Sequence, residues 1–411
     1  MSDRTKKILF AVVFALLSVA IGFGLWYFFF RPLVTPQTPT TAVPPSGTLP
    51  TSGAGAATSV TGVTTPGQLT PGAPVPIVPG APTEVAPVSH VTLLQDTVTQ
   101  DVVPSKTGDG ARFYNPEDGR FYRVNADGSV TPLSEKQFLN VSNVSWGKKD
   151  DQAILEFPDG SNVFYNFDTK RQVTLPAHWQ DFDFSPDDSQ ITAESVGLDP
   201  SNRFLIVSNP DGNEAKAIET LGNNADKVIP SWSPNNQVVA FSLTGESQSE
   251  GAQEVLLIGE NKENFKSLIV PGRGFTPNWS PTGKQILYSV YHERTQLEPS
   301  LWVSGAMGDS IGDDRRSINL NTWADKCAWK DENQIICGVP QQMSMGAGLA
   351  RSDYDSVPDD VYLVDLRSGV STKISTPDQI HSIRNPVLST DGTKLMFSDS
   401  GTGRLYSYDL P

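Results

Sequence analysis

Residues 228–242 read VIPSWSPNNQVVAFS, and residues 275–289 read FTPNWSPTGKQILYS. In both stretches an alternating apolar run leads to a tryptophan, a Ser-Pro turn follows, and a second apolar run returns. The turn at 280–283, SPTG, has serine first, proline second and glycine fourth, which is typical of a type I turn. Because side chains alternate along a strand, the tryptophan faces one side of the sheet. Each stretch therefore predicts a β-hairpin with a defined turn.

The same hairpin recurs six times from residue 140 onward. Its aromatic position is occupied, in chain order, by Trp146, Phe184, Trp232, Trp279, Trp329 and Leu388. The spacings of 38, 48, 47, 50 and 59 residues suit propeller blades of about 40–50 residues. Each of the first five copies is followed by a second, weaker hairpin, whose first strands are NVFYNFD (162–168), RFLIVSN (203–209), EVLLIGE (254–260), LWVSG (301–305) and DVYLVDL (360–366). Two hairpins make a four-stranded antiparallel blade, so the predicted fold is an all-β, six-bladed β-propeller.

Ring closure needs strands from the other end of the domain. The last copy is followed only by RLYSYDLP (404–411), which supplies one strand instead of two. Residues 111–134 supply strands without a Trp-Ser-Pro hairpin. We therefore expect N-terminal strands to complete the last blade, with a seventh, divergent blade as the alternative.

Over about residues 110–411 the chain resembles the TolB-type, WD-like six-bladed β-propellers. The resemblance lies in the repeated hairpin pattern, which has a WSPDG-like turn, an apolar strand and a strand that ends in Val-Asp. Copies one, five and six depart from it by lacking Ser-Pro, and no TolB-type N-terminal α/β domain precedes the propeller. The resemblance implies the fold, since these motifs are structural. A weaker resemblance is to anchored envelope proteins of small-genome bacteria.

Residues 8–30, ILFAVVFALLSVAIGFGLWYFFF, contain no charged residue. At 1.5 Å per residue a helix of this length spans a bilayer core of about 30 Å. Lysines and arginines precede the segment, and after Arg31 the next basic residue is Lys106. The positive-inside rule therefore predicts a cytoplasmic tail (1–7), a transmembrane signal anchor (8–30) and an extracytoplasmic remainder. The alternative is a signal peptide cleaved after the small residues at 18–20.

Residues 31–90 separate this segment from the propeller domain, which we assign to 91–411. Positions 32–90 hold thirteen prolines and a single formal charge, at Glu84. A segment rich in Pro, Thr, Ser and Gly cannot bury enough apolar surface to order itself, so it predicts a disordered linker or stalk.

The composition argues against nucleic-acid binding and offers no catalytic motif. The chain carries 31 Lys+Arg against 46 Asp+Glu, a formal charge of −15, where nucleic-acid binders show a basic patch. Its four histidines are scattered, and no G-x-S-x-G, P-loop or metal-binding spacing occurs. The Asp-Gly pairs at 211–212 and 391–392 are typical of turns. We therefore expect no cofactor, no metal and no catalytic residue.

Cys327 and Cys337 flank the turn of one hairpin, CAWKDENQIIC. Their symmetric placement about the turn would set them opposite each other on two strands, where a disulfide could form. Two buried free thiols are the alternative.

The loops joining the second and third strands of each blade should lie on one face of the ring. They are predicted at 158–162, 194–202, 243–253, 289–300, 338–359 and 399–403. Functional residues concentrate on such loops, so the candidate binding residues are Tyr291, His292, Arg294, Met343, Met345, Arg351 and Tyr354. Tolerated insertions are the competing interpretation. The favoured function is a non-catalytic, membrane-tethered module of the cell envelope that binds a protein or peptide. The alternative is a propeller hydrolase or lyase acting on glycans or lactones through loop-borne carboxylates.

Overall fold

The computed structural model describes residues 91–125, 127–248, 251–375 and 381–410, which form seven four-stranded antiparallel sheets. These sheets are the blades of a seven-bladed β-propeller. The strand order is sequential in six of them, with blades 1 to 6 formed by β2–β5, β6–β9, β10–β13, β14–β17, β18–β21 and β22–β25. Blade 7 combines β26, β27 and β28 with β1.

The first strand of each blade is innermost, since these strands contact their counterparts in neighbouring blades. The innermost strands are β2 (Gln100–Pro104), β6 (Asn143–Trp146), β10 (Trp179–Phe184), β14 (Val228–Pro230), β18 (Arg273–Trp279), β22 (Cys327–Asp331) and β26 (Ile383–Leu388). The second strands are β3 (Gly110–Asn115), β7 (Gln152–Glu156), β11 (Ile191–Val196), β15 (Ala240–Ser242), β19 (Gln285–Tyr291), β23 (Gln334–Pro340) and β27 (Lys394–Asp399).

The remaining strands form the outer half of each blade. The third strands are β4 (Arg120–Asn125), β8 (Asn162–Asn166), β12 (Arg203–Ser208), β16 (Gln253–Ile258), β20 (Pro299–Gly305), β24 (Asp359–Asp365) and β28 (Leu405–Asp409). The outermost strands are β5 (Val130–Pro132), β9 (Arg171–Leu175), β13 (Lys216–Thr220), β17 (Leu268–Val270), β21 (Arg316–Ser317), β25 (Val370–Ser375) and β1 (Val91–Gln95). Short 3₁₀ helices lie at Pro200–Asn202, Ala225–Lys227, Glu293–Thr295, Gly308–Ser310, Ala324–Lys326, Ala347–Leu349 and Arg351–Tyr354.

The prediction of six blades is wrong, and the alternative of seven is correct. Strands within 100–132 pair with one another, with Arg112 opposite Arg123 and Arg123 opposite Thr131, so they build a blade of their own. Only β1 completes the last blade, pairing Val91 with Tyr408. The prediction that the N-terminal end of the domain completes the last blade is thus confirmed, and a single strand does so.

The hydrophobic core lies between adjacent blades. The Trp279 ring of blade 5 stacks on Phe241 of blade 4 at 5.1 Å between centroids, and its Nε1 donates to Ser231 Oγ at 3.0 Å. Trp232 is 2 % exposed and packs among residues of blades 3 and 4. The repeated aromatic residues therefore pack between neighbouring blades. The Ser-Pro turns lie on one face of the ring, and the long loops lie on the opposite face.

No helix of the described residues is long and apolar enough to cross a bilayer. The predicted anchor at 8–30 and the linker at 31–90 lie outside the described residues.

Candidate functional site

One face of the ring collects the loops between second and third strands together with the links between blades. We call it the loop face. The fifth of the predicted loops occupies 341–358, shorter than expected because β23 extends to Pro340 and β24 begins at Asp359. It is tied to the preceding loop, 292–298, by two backbone hydrogen bonds. Gly346 N donates to Gln296 O and Gly348 N donates to Leu297 O, both at 2.8 Å.

These contacts give several predicted residues a structural role. A Cβ on Gly348 would lie 2.5 Å from Tyr291 Cβ, so the fifth loop packs directly on Tyr291. His292 caps the 3₁₀ helix Glu293–Thr295, its Nδ1 accepting from Arg294 N at 2.9 Å. Arg294 lies on the exposed side of this helix. Tyr291 therefore packs against the fifth loop and His292 caps the helix, and ligand binding by these residues and Arg294 stays a prediction.

The fifth loop has a small core of its own. Trp323, Ala347 and Tyr354 are buried together, and Met343 packs against them. The Tyr354 hydroxyl contacts Ser344 Oγ at 2.6 Å, which closes the loop on itself. Met345, by contrast, is 76 % exposed. The loop is therefore a compact element that the sequence alone presented as irregular.

Beside this core lies a cavity of about 310 Å³, which we call the Trp323 cavity. Of the seven predicted binding residues, Arg351 and Tyr354 line it and the other five do not. The Arg351 guanidinium stands 5.2 Å from the Trp323 ring centroid, and its Nη2 is 2.6 Å from Asp325 Oδ2. Lys326 and Arg384, which sequence reasoning missed, also line the cavity.

Two buried carboxylates, Asp359 and Asp399, accept hydrogen bonds from the backbone at the start of β26, the strand that lines this cavity. Asp359 Oδ2 lies 2.7 Å from Lys326 Nζ and accepts from Ile383 N at 2.6 Å. Burial raises the pKa of Asp359 to about 6, although Lys326 opposes the shift. Asp399 accepts from Ser382 N at 2.9 Å. Burial alone would raise the pKa of Asp399, but its contacts with His381, Thr402 and the Ser382 amide lower it to about 2.

Four carboxylates, none of them predicted, gather where the innermost strands begin. We call this set, Asp101, Glu156, Asp181 and Glu194, the acidic mouth. Asp101 and Asp181 occupy equivalent bulges of β2 and β10, with positive φ values of 51° and 54°. Asp101 Oδ2 accepts from Val144 N at 2.9 Å, which joins blade 1 to blade 2. Glu156 accepts from Asn143 Nδ2 at 2.6 Å.

Glu194 is the most buried member, at 1 % exposure. Gln180 Nε2 lies 3.2 Å from Glu194 Oε2 and 3.3 Å from Asp181 Oδ2, so one amide bridges two carboxylates. Glu194 Oε1 is buried and has no hydrogen-bond partner among the residues that the structure describes. Burial, with Asp181 adding repulsion, raises the pKa of Glu194 to about 7. Burial also raises the pKa of Asp101, Glu156 and Asp181.

The acidic mouth and the Trp323 cavity adjoin. Arg384 of β26 lines the cavity and its charge favours ionisation of Asp101 on the neighbouring strand β2. One sector of the loop face is therefore acidic and the adjoining sector holds cations. A repeated Gln-Asp pair, at 100–101 and 180–181, is the sequence signal that could have indicated the acidic sector.

Within the described ranges, no three His, Cys, Asp or Glu side chains are placed to hold a metal ion. Cys327 and Cys337 face each other across β22 and β23 and are joined in a disulfide, as the hairpin symmetry suggested.

Comparison with known proteins supports the fold more than any function. No protein-family model matches the chain. Over 169 residues the chain is 27 % identical to the uncharacterized peptidase YuxL of Bacillus subtilis (strain 168). The match covers 41 % of this chain and 21 % of that protein. The chain thus spans about a fifth of the length of this relative.

Solved structures of similar fold include two oligogalacturonate lyases and a β-propeller domain. Oligogalacturonate lyase from Vibrio parahaemolyticus has a TM-score of 0.53 at 11 % identity, covering 78 % of this chain and 93 % of that one. An oligogalacturonate lyase in complex with manganese gives 0.53 at 14 %, with coverages of 78 % and 93 %. The β-propeller domain of Cps50 (Swd1) from Myceliophteria thermophila gives 0.51 at 11 %, with coverages of 78 % and 100 %. At these identities the similarity establishes the propeller fold.

Proposed function

We propose that the protein is a membrane-tethered, extracytoplasmic propeller whose loop face binds a protein or peptide segment carrying lysine or arginine. The observation that carries this proposal is the convergence of carboxylates from blades 1, 2 and 3 in the acidic mouth. Asp101 and Glu156 are partly exposed and Asp181 is exposed, so a ligand can reach these three carboxylates, whereas Glu194 is buried behind them. An ammonium or guanidinium group donates hydrogen bonds to such carboxylates and offsets their negative charge.

The whole chain favours the same class of partner. A formal charge of −15 attracts basic surfaces and speeds their encounter with the protein. Tethering and location rest on the apolar segment 8–30 and the charges that flank it. A linker after this segment would let the propeller reach partners away from the bilayer.

The test removes charge from the acidic mouth without changing backbone or hydrogen-bond geometry. In Asp101→Asn/Asp181→Asn, asparagine tolerates the positive φ of both positions. We expect the affinity for fluorescent Lys/Arg-rich peptides to fall about 10–100-fold, since each lost charge contact weakens binding by about tenfold. Fluorescence anisotropy on the full-length protein in detergent micelles measures this.

The control makes the same kind of change on the opposite face. Asp127 is exposed in the turn between β4 and β5 and accepts hydrogen bonds from Ser129 N and Oγ, so Asp127→Asn should leave the affinity unchanged. An equal loss in both variants would mean that net charge alone attracts the peptide. Unchanged binding in the double variant would reject the acidic mouth as the site.

An enzymatic function is the second candidate because of Glu194. A carboxyl with a pKa of about 7, close to a second carboxyl at Asp181, is suited to proton transfer near neutral pH. The relatives named as peptidase and lyase suggest peptides and oligogalacturonides as substrates to assay. Turnover that Glu194→Gln abolishes would favour an enzyme, whereas binding without turnover in the wild type would favour the recognition module.

A further inference from the structure

We propose that the Trp323 cavity binds a single carboxylate of the peptide segment whose basic side chain enters the acidic mouth. The inference rests on the proposed function and names the second group that the partner presents. It follows from the donors, the charges and the position of the cavity.

Hydrogen-bond donors dominate the cavity wall. Lys326, Arg351, Arg384, Asn385 and Ser400 all line it. The Lys326 ammonium has three donors, of which one serves Asp359 Oδ2 at 2.7 Å and one serves Ser382 Oγ at 3.4 Å. A wall of this kind fits a ligand that accepts hydrogen bonds and cannot donate them, as a carboxylate does.

The ion pairs of the cavity leave one guanidinium available to a ligand. Arg351 is paired with Asp325 and Lys326 with Asp359, at 2.6 and 2.7 Å. Arg384 is exposed and, within the described part of the chain, forms no ion pair, although its charge interacts with that of Asp101. Its donors can therefore bind one carboxylate in bidentate geometry. Asp355 lies at the exposed rim and opposes such a ligand.

The size of the cavity favours a chain end. A volume of about 310 Å³ is at the lower limit for small-molecule sites, which run from about 300 to 1,000 Å³. The Trp323 and Tyr354 rings, 5.6 Å apart, offer an apolar wall for one side chain. A C-terminal residue brings a side chain and a carboxylate together. An Asp or Glu side chain is the other source of the same group.

The two sites can be filled by neighbouring residues of one segment. Arg384 and Asp101 lie on β26 and β2, which are in contact, and their charges interact. A carboxylate at Arg384 would therefore stand beside the cation held in the acidic mouth. The recognised element is a basic residue followed closely by a carboxylate.

The experiment compares matched peptides on the full-length protein in detergent micelles. One peptide ends in Lys-Leu with a free carboxylate, the second is its C-terminal amide, and the third is the amide with Glu in place of Leu. We expect the free acid to bind about tenfold more tightly than the amide, the increment of one charge-assisted contact. Equal affinity of the Glu peptide would identify a side-chain carboxylate as sufficient.

Two variants assign the preference to the cavity. In Arg384→Gln the free acid and the amide should bind equally, because the guanidinium that binds the carboxylate is gone. In Asp355→Asn the free acid should gain affinity while the amide does not. Asp101→Asn/Asp181→Asn should weaken all three peptides and keep the preference for the free acid. A wild-type protein that does not distinguish acid from amide, or an Arg384→Gln variant that still does, would overturn the inference.

A small probe separates this inference from the proposed function. N-acetyl-leucine carries the carboxylate without the basic residue, and its binding can be followed by ligand-observed NMR. If basic peptides fail to bind but N-acetyl-leucine binds and Arg384→Gln abolishes it, the acidic mouth is rejected and the carboxylate site stands. Binding of galacturonate in place of N-acetyl-leucine would overturn the assignment to a peptide.

Discussion

Replacement of Arg112 by methionine is expected to lower the free energy of unfolding by about 3–5 kcal/mol, the range for removing one partner of a buried ion pair. Arg112 is 2 % exposed. Its guanidinium donates to Asp150 O and Gly147 O, both at 2.8 Å, to Pro104 O at 3.1 Å and to Asp151 Oδ1 at 3.1 Å. It therefore fastens blade 1 to the first turn of blade 2. Methionine removes all four of these hydrogen bonds, and Asp151 keeps only Arg123 as its cationic partner among the described residues.

Urea unfolding followed by tryptophan fluorescence measures the effect. Lys266→Met is the control, because Lys266 is exposed and makes a single ion pair with Asp313, so its loss should cost under about 1 kcal/mol. Arg112→Lys should recover only part of the stability, since an ammonium cannot reproduce the fork of donors. A loss for Arg112→Met no larger than that of the control would refute the role of Arg112 as an interblade clamp.

Replacement of Lys326 by methionine is expected to destabilise the protein by about 3–5 kcal/mol at pH 7.5, because it leaves the buried Asp359 without its cation. Both side chains are buried, with exposures of 6 % and 0 %. Adding Asp359→Asn should restore most of the lost stability. Asparagine keeps an acceptor for Ile383 N and carries no charge, so the double variant is the matched control. A double variant as unstable as Lys326→Met would show that packing, and not charge, sets the cost.

The same variant should show a characteristic pH dependence. The pKa of Asp359 is raised to about 6 in the folded protein, above its unfolded value of about 3.9. A raised pKa means that the folded state binds the proton more tightly, so this stabilisation is present below about pH 4 and is lost as the pH rises through 6. Without Lys326 the pKa rises further. Lys326→Met should therefore lie closer to the wild type at pH 5 than at pH 7.5 in chemical denaturation.

The hairpin aromatics were sufficient to predict the blade architecture but not the number of blades. The first blade has Pro104 where the others have an aromatic residue or leucine, so a search for Trp-Ser-Pro passes over it. Its turn is nevertheless the same. Gly108 N donates to Ser105 O at 2.9 Å, as Gly283 N does to Ser280 O. The Ser-x-x-Gly spacing at 105–108, which depends on backbone hydrogen bonding and not on packing, was the signal to follow.

Only part of the candidate site was predicted from the sequence. Loop length pointed to the fifth loop, and Arg351 and Tyr354 do line the Trp323 cavity. The acidic mouth was not predictable by spacing, since Asp101, Glu156 and Asp181 come from three blades and meet only when these blades pack side by side. Lys326 and Asp359 also lie far apart in the chain, and their pairing depends on the packing of a link between blades against β24.

The pairing of β1 with β28 has a consequence for the timing of synthesis. β1 is the first strand of the propeller to leave the ribosome, and its partner is the last. Thr99 and Ser398, whose hydroxyls lie 2.9 Å apart, are likewise separated by nearly the whole domain. Blades with sequential strands can form as they are made, but β1 stays an open edge until translation of the domain is complete. Truncated chains therefore expose an unpaired strand, the feature by which quality control can distinguish them from finished rings.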